Sequence, residues 1–598
     1  MELALRQSRS KRKGSAALEH VGPVLATSLV DLPPPTPSEL IEYVGKFAWD
    51  ETLTRLSVLA SIVANGGGPA GKLARSHTTD LFLRSDPAKM PLRGRMLWNA
   101  VSSLDTVPPA ANEAAIYFLQ ALALVYGAET GPAPSDGEIT EMLIAANDYA
   151  FEWRTGRDED LARRERIVAD TVRALGFNRS RDPARHIVRC YQMLRHPPAR
   201  GATWPDDVAW EEFQREAFGM PLDEYLETLV LPVVTLSMRW GTEHASGIEP
   251  PILDPSTWWR DSLVEDARGE AFLRGLATSR ADARRALDEQ KRPDGLVVGP
   301  TLFYRTPFVE LPDRRIVATS PAMVQEHLRG GLWGKHRAAM GKKSAEWPPA
   351  FGELFEDWCQ HVALIAQPDS VDDIIVPESR GTDDEVEDVI IRKSDKVAFV
   401  SVKASTIPER TMRGAESQRA VVEWFDEFLF STKGMLREDG QKHGGGAIQR
   451  LDAKITKLRQ GLYENHGLER SLKVYPVLVT YEIGLDSPAL YRWTAGRCAE
   501  ESLLQHSRVE PVTFASIEDF EALLALSTRG QSAIDILRQK TSTRWREGRL
   551  DVLLHERKRD ELDLRLPELT AEFDAIFARC TKRVFGREPG ALPIGDPT

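Results

Sequence analysis

Apolar residues recur at helical spacing through most of the first half of the chain. Leu53 to Ala64, Ala111 to Tyr126, Ile139 to Trp153 and Ala162 to Leu175 each carry them along one face of a helix. Gly66-Gly67-Gly68-Pro69, Gly131-Pro132 and Pro197-Pro198 break these runs. This pattern predicts a helical domain over 36–290, behind a disordered basic tail over 1–35 that ends in Pro33-Pro34-Pro35. Leu296-Val297-Val298 through Ile316-Val317-Ala318, around a Pro312-Asp313 turn, read as short strands of a small β-containing connector over 291–345. An amphipathic helix follows, with Phe351, Phe355, Trp358 and Val362 on its apolar stripe. Then the period changes from that of a helix to that of a strand. Val389-Ile390-Ile391 and Val397-Ala398-Phe399-Val400-Ser401-Val402-Lys403 flank a charged turn, Arg392 to Lys396, and predict a hairpin. Helical runs over Gln418 to Leu429 and from Ala447, then an apolar strand over Val474 to Tyr481, complete an α/β core at 346–485. Ile517 to Leu526, Ala533 to Lys540 and the charged run Arg557 to Arg565 predict a helical C-terminal region over 486–598. The expected fold is multidomain: a mostly α N-terminal region, an α/β core and a helical C-terminal appendage.

The polar residues of the hairpin are the ones that suggest chemistry. Ser401 and Lys403 lie two apart and share a strand face. Asp388, at the start of the partner strand, can face them across the ladder. Glu387 competes with Asp388 for that role, because neighbouring strand residues face opposite sides and the pattern leaves the register open. A carboxylate beside a lysine suits phosphodiester hydrolysis. A hard cation polarises the phosphate and acidifies water, magnesium takes oxygen ligands from one or two carboxylates, and an ammonium offsets developing charge.

The segment resembles the PD-(D/E)XK nuclease superfamily, whose pattern is an Asp on the first strand and then an acid, any residue and Lys on the second. Here Ser401 stands at the acid position. One subgroup of type II restriction endonucleases is similar in this respect, with a Ser-x-Lys strand and the glutamate moved to the following helix. In this chain twelve residues separate Lys403 from Glu416. The resemblance covers 346–485 and implies a restriction-endonuclease-like core. It implies that Asp388 and Glu416 hold Mg²⁺ or Mn²⁺, that Lys403 positions water or stabilises charge, and that Ser401 assists by hydrogen bonding. Glu353 is implied as an accessory metal ligand from the preceding helix, with Glu356 as its competitor. The implied activity is a metal-dependent DNA endonuclease, the effector of a bacterial antiphage or restriction-type defence system. The alternative is a catalytically decayed nuclease-fold protein that binds nucleic acid or scaffolds a defence complex, since losing the acid at position 401 is how such a site decays.

Composition narrows the setting. The chain has 598 residues, 42% of them hydrophobic and 28% charged, and contains no apolar run long enough to cross a bilayer. A net charge of −12 rules out wholesale coating of the surface by nucleic acid, so phosphate contacts must be local. Two basic stretches bracket the hairpin. One runs from Arg314 to Lys343; the other runs from Arg437 to Arg459 and includes Lys442, Arg450 and Lys454. With Arg410 and Arg413, the last three are the expected nucleic-acid contacts. The expected partners are DNA, a protein docked on the N-terminal helical region, and a second copy of the chain, with no membrane. Four scattered cysteines without CxxC spacing predict a reducing, cytoplasmic setting.

Three other motifs carry less. Gly66 to Leu73 looks like a P-loop, but Leu73 replaces the Mg²⁺-binding hydroxyl residue and no strand precedes it. His443-Gly444-Gly445-Gly446 lacks a GxSxG partner. His186, Cys190 and His196 are too loosely spaced for a zinc site and read as structural.

Overall fold

The computed structural model describes residues 26–586, apart from 66–78, 105–108, 151–182 (where only 162, 165 and 168 are described), 196–208, 240–249, 298–300, 378–385, 405–417, 432–445, 482–484, 560–563 and the single positions 81, 261, 290, 292 and 293. Helices dominate, and two small mixed sheets are set among them.

The N-terminal helices α1 (Pro37–Val44), α2 (Trp49–Asn65), α3 (Leu92–Ser102), α4 (Glu113–Tyr126) and α5 (Asp136–Ala150) follow the predicted periodicity. Helix α4 is apolar around its whole circumference and is buried from Ala114 to Val125, as befits the central helix of a bundle. The expected disordered tail stops short of residue 35. Thr27 donates its backbone N–H to the Asp148 carboxylate at 3.0 Å, and the Tyr149 hydroxyl donates to the Pro35 carbonyl. Both bonds tie residues 26–35 to α5.

Further along lie α6 (Pro183–Arg195), α7 (Trp210–Phe218), α8 (Leu222–Arg239) and a four-stranded sheet in the order β1-β4-β3-β2. Its strands are β1 (Ile252–Leu253), β2 (Ala277–Thr278), β3 (Phe308–Glu310) and β4 (Ile316–Ala318), with α9 (Arg280–Asp288) between β2 and β3. The β3–β4 hairpin about Pro312-Asp313 is the one the pattern predicts. Leu296 and Val297, expected to be strand, are instead buried core residues with a single isolated bridge from Val297 to Lys291.

The second sheet has five strands in the order β5-β6-β7-β8-β9. After α10 (Leu332–Ala339) and α11 (Trp347–Ala366) come β5 (Asp373–Ile375), β6 (Val389–Lys393) and β7 (Lys396–Lys403). Helices α12 (Gln418–Phe430) and α13 (Ala447–Arg459) cross to β8 (Lys473–Thr480), which runs parallel to β7. Helix α14 (Pro488–Glu500) crosses to β9 (Thr513–Ser516), parallel to β8. The order helix, hairpin, helix, helix, strand therefore holds. The segment from 486 onward is no appendage, however: β9 is an edge strand of the core sheet, and α15 (Ile517–Thr528) starts at its end. Helices α16 (Ala533–Lys540), α17 (Leu550–Arg557) and α18 (Pro567–Phe585) follow.

Strand alternation sorts the sheet's two faces. Val389, Ile391, Ala398, Val400 and Val402 pack with α11, α15 and α16. Ile390, Val397 and Phe399 pack with Val421 and Phe425 of α12 and with Ile448, Leu451 and Ile455 of α13. The result is three layers, helices on either side of a sheet. Each fully buried Val, Ile or Phe side chain here contributes about 1.5–3 kcal/mol, which anchors the hairpin between the two helical layers.

Candidate active site

The site forms where the hairpin runs out. Val389 pairs with Val400, so the next step back along β6 sets Asp388 opposite Ser401. Lys403 ends β7 beside Thr480, the last residue of β8, which in turn pairs with Ser516 at the end of β9. Asp388 and Lys403 thus lie at the carboxyl edge of the three parallel strands, the edge at which open α/β sheets bind ligands. By strand parity Ser401 and Lys403 share the face covered by α12 and α13.

Two bonds fix Asp388. Its Oδ2 accepts the Val402 N–H at 2.5 Å, a donor that β6 no longer reaches once its backbone has left the ladder. Its own carbonyl accepts from the Gln360 side-chain amide of α11 at 3.1 Å. The carboxylate is 5% exposed, and its Oδ2 stands 3.9 Å from Lys403 Nζ. Burial lowers the Lys403 pKa; Asp388 works against this shift, and Arg450 and Lys454 add to it.

Glu387 lies on the same side. Residue 388 forms a bend before the strand begins, so the alternation that would set neighbouring residues on opposite faces has not started. Glu387 is 1% exposed and its Oε1 lies 3.4 Å from Lys454 Nζ. Its Oε2 is buried without a hydrogen-bond partner among the described residues. Burial pushes the Glu387 pKa up; Lys454 opposes this and the Asp388 charge reinforces it. The sequence offered Glu387 and Asp388 as rivals, and the structure brings both to one cluster.

The opposing cations come from α13. Its start depends on Gly446, where a Cβ would meet the Leu429 carbonyl carbon and oxygen at 2.4 Å. Only glycine allows this approach to the end of α12, and Gln449 reinforces it by donating to the Phe430 carbonyl at 2.7 Å. Arg450 and Lys454, four apart, then share one stripe of the helix and act on the Lys403 charge. Among the described residues three cations therefore stand near two carboxylates, an excess that suits an anionic substrate.

Glu353 lies on α11 two turns, about 10 Å, before Gln360, the residue that reaches the Asp388 backbone. Glu416, Arg410, Arg413 and Lys442 lie outside the described residues, as do His443 to Gly445 and the Gly66 to Leu73 loop. The basic stretch from Arg314 to Lys343 is less available than its charge suggests. Arg315 pairs with Asp313 at 2.6 Å, and Arg329 is buried against Glu326 at 3.1 Å. Cys190 donates from its buried thiol to the Leu328 carbonyl at 2.7 Å, the structural role read from the sequence.

The donors at Glu387 and Asp388 are oxygen atoms, the type a hard divalent cation takes, and one of them is an orphaned buried carboxylate oxygen. Two carboxylates fall short of a full protein cage; among the described residues no group of three or more His, Cys, Asp or Glu is placed to hold a metal. A shared site of this kind fits magnesium, which keeps waters and takes further oxygens from its substrate. Among the described residues no helix is long and apolar enough to cross a membrane. No family model, curated protein or solved structure matches the chain.

Proposed function

We propose that this chain is a metal-dependent nuclease that hydrolyses phosphodiester bonds of DNA. The observation that carries the reading is the meeting of Asp388 and Lys403, 3.9 Å apart at the carboxyl edge of the sheet, beneath the Arg450 and Lys454 stripe of α13. A bound Mg²⁺ or Mn²⁺ would polarise the phosphate and acidify the attacking water. Asp388 would hold the cation, its carboxylate already oriented by the Val402 N–H. Lys403, largely but not fully buried, would meet the charge that develops on the phosphate in a setting where an ammonium counts for more than it does in water. Arg450 and Lys454 would hold the flanking backbone phosphates. Glu416, as a further ligand, remains part of the proposal on its spacing alone. The N-terminal helices would serve sensing, partner docking or gating in an antiphage or restriction-type system.

Cleavage of plasmid, single-stranded DNA and RNA in Mg²⁺, Mn²⁺ or EDTA tests the reading against Lys403→Ala. The expected result is metal-dependent cutting of DNA that falls by at least about 100-fold in the variant, the loss seen when a group stabilising transition-state charge is removed. Equal cutting by parent and variant would refute the site assignment.

A second reading draws on one specific observation. The Asp388 carboxylate already satisfies the Val402 N–H, which gives it a structural role whatever happens at Lys403. On that reading the chain binds nucleic acid through α13 without cutting it. Salt-sensitive binding that Arg450→Ala weakens, with no cleavage under any metal, would select this reading.

A further inference from the structure

Ser401 stands where the resemblance expects an acid, and the residue before Asp388 brings a carboxylate to the same cluster. Glu387 is enclosed to 1% exposure. Its Oε1 has two neighbours, Lys454 Nζ at 3.4 Å and the Asp388 N–H at 3.5 Å. Its Oε2 has none among the described residues and is sealed from water. A buried carboxylate oxygen without a partner is unfavourable, and the charges of Lys454, Asp388 and Lys403 act on Glu387. A carboxylate with one oxygen tethered and the other bare, next to a second carboxylate anchored by a backbone N–H, has the form of half a cation site.

We propose that Glu387 is a ligand of the divalent cation together with Asp388, filling the place that Ser401 cannot, and that Lys454 is the counterion of Glu387, displaced toward a substrate phosphate when the cation takes the carboxylate. The proposal rests on the metal-dependent nuclease reading. It differs from that reading in assigning the second ligand to the residue adjoining Asp388 and in giving Lys454 two successive partners.

The competition between Lys454 and the cation for one carboxylate makes the proposal testable without catalysis. Mn²⁺ is titrated into the full-length chain and followed by the loss of its free-ion electron paramagnetic resonance signal. Parent, Glu387→Gln, Asp388→Asn and Lys454→Ala are compared, with plasmid cleavage assayed on the same preparations. Glu387→Gln and Asp388→Asn are each expected to weaken Mn²⁺ binding by at least about tenfold, no less than the loss of an outer-shell partner produces. Lys454→Ala is expected to tighten it while weakening DNA binding. Parent-like Mn²⁺ affinity in Glu387→Gln, with Asp388→Asn impaired and the parent cutting DNA, would overturn the Glu387 assignment and leave the nuclease reading intact. A parent that neither binds Mn²⁺ nor cuts would overturn both. If Glu387→Gln does not fold, as judged by circular dichroism, Lys454→Ala decides alone, and unchanged or weaker Mn²⁺ affinity in that variant counts against the proposal.

Discussion

At Asp388 a single carboxylate has a structural duty and a chemical one, and two substitutions separate them. Asparagine keeps an oxygen that can accept the Val402 N–H, bonded at 2.5 Å in the parent, but removes the charge beside Lys403. Alanine removes both, leaving a buried donor unsatisfied at a cost of about 1–3 kcal/mol. Asp388→Asn is therefore expected to melt within a few degrees of the parent and to lose cleavage, whereas Asp388→Ala loses stability as well. Urea unfolding of both variants checks this, and equal destabilisation would show that the charge, not the cap, holds the hairpin end together. Lys403 was legible in the sequence because a strand period of two sets it on one face with Ser401, and Asp388 because it adjoins the start of the partner strand. Glu387 was legible only as a rival, because the pattern does not show that the strand starts at Val389. That boundary puts both acids ahead of the alternation and frees the pair to face one cluster.

Among the elements, hairpin and amphipathic helices could be read from the sequence because each has a wet side and a dry side. Strand β9 could not. Thr513-Phe514-Ala515-Ser516 is buried at every position, so it carries no alternation, and four residues are too few to stand apart from a helical neighbourhood. The docking of α6 was hidden for a different reason: its anchor is polar. Arg189 donates to both oxygens of Glu521 on α15 at 3.1 and 3.0 Å and to Glu518 at 3.0 Å. Trp358 of α11 donates to Glu521 from its ring N–H at 3.0 Å. Helix α11 also carries Gln360, so one rigid element touches both this buried network and the backbone of Asp388. Arg189→Met would leave two carboxylates buried without their cation, and breaking a buried pair in this way costs about 3–5 kcal/mol. A lowered urea midpoint with unchanged slope is the expected reading; a midpoint equal to the parent's would mean that the network adds nothing to the docking of α6.

Across the whole molecule, the apolar cores do not follow the boundaries drawn from the sequence. One cluster joins α6 and α8 to the core sheet, α15 and α18, and another joins α2 and α4 to Leu296 and Val317. Punctuation by Pro and Gly marks where elements end, but which elements share a core depends on contacts far apart in the chain. Among the described residues, part of that shared interior holds three buried histidines. His186 stands 3.6 Å from Glu518 with Arg189, Glu326 and Arg329 around it. His327 lies between the Tyr225 hydroxyl and the Tyr304 carbonyl, each at 2.8 Å, with the Lys335 charge nearby. His336 bonds the Leu332 carbonyl at 2.9 Å and stacks on Trp347 at 4.6 Å. Burial pushes their pKa values down from 6.5 to about 4, about 3 and about 4 respectively. A histidine depressed on folding stabilises the native state fully above its unfolded value and loses that contribution as pH falls toward the folded one, roughly 3 kcal/mol for His186. Glu518, held down to about 2 mainly by Arg189 against its burial, adds a second loss, which begins below its unfolded value of 4.5. Asp519 and Asp486, whose pKa values burial raises, act in the opposite sense, and the three histidines with Glu518 are expected to outweigh them, so that the melting temperature falls from about pH 6.5 to pH 4. His336→Phe, which keeps a ring against Trp347 and cannot take up a proton, should flatten part of that slope. Thermal unfolding at half-unit pH steps measures both, and a melting temperature that holds steady down to pH 4.5 would mean that these histidines take up protons without opening the core.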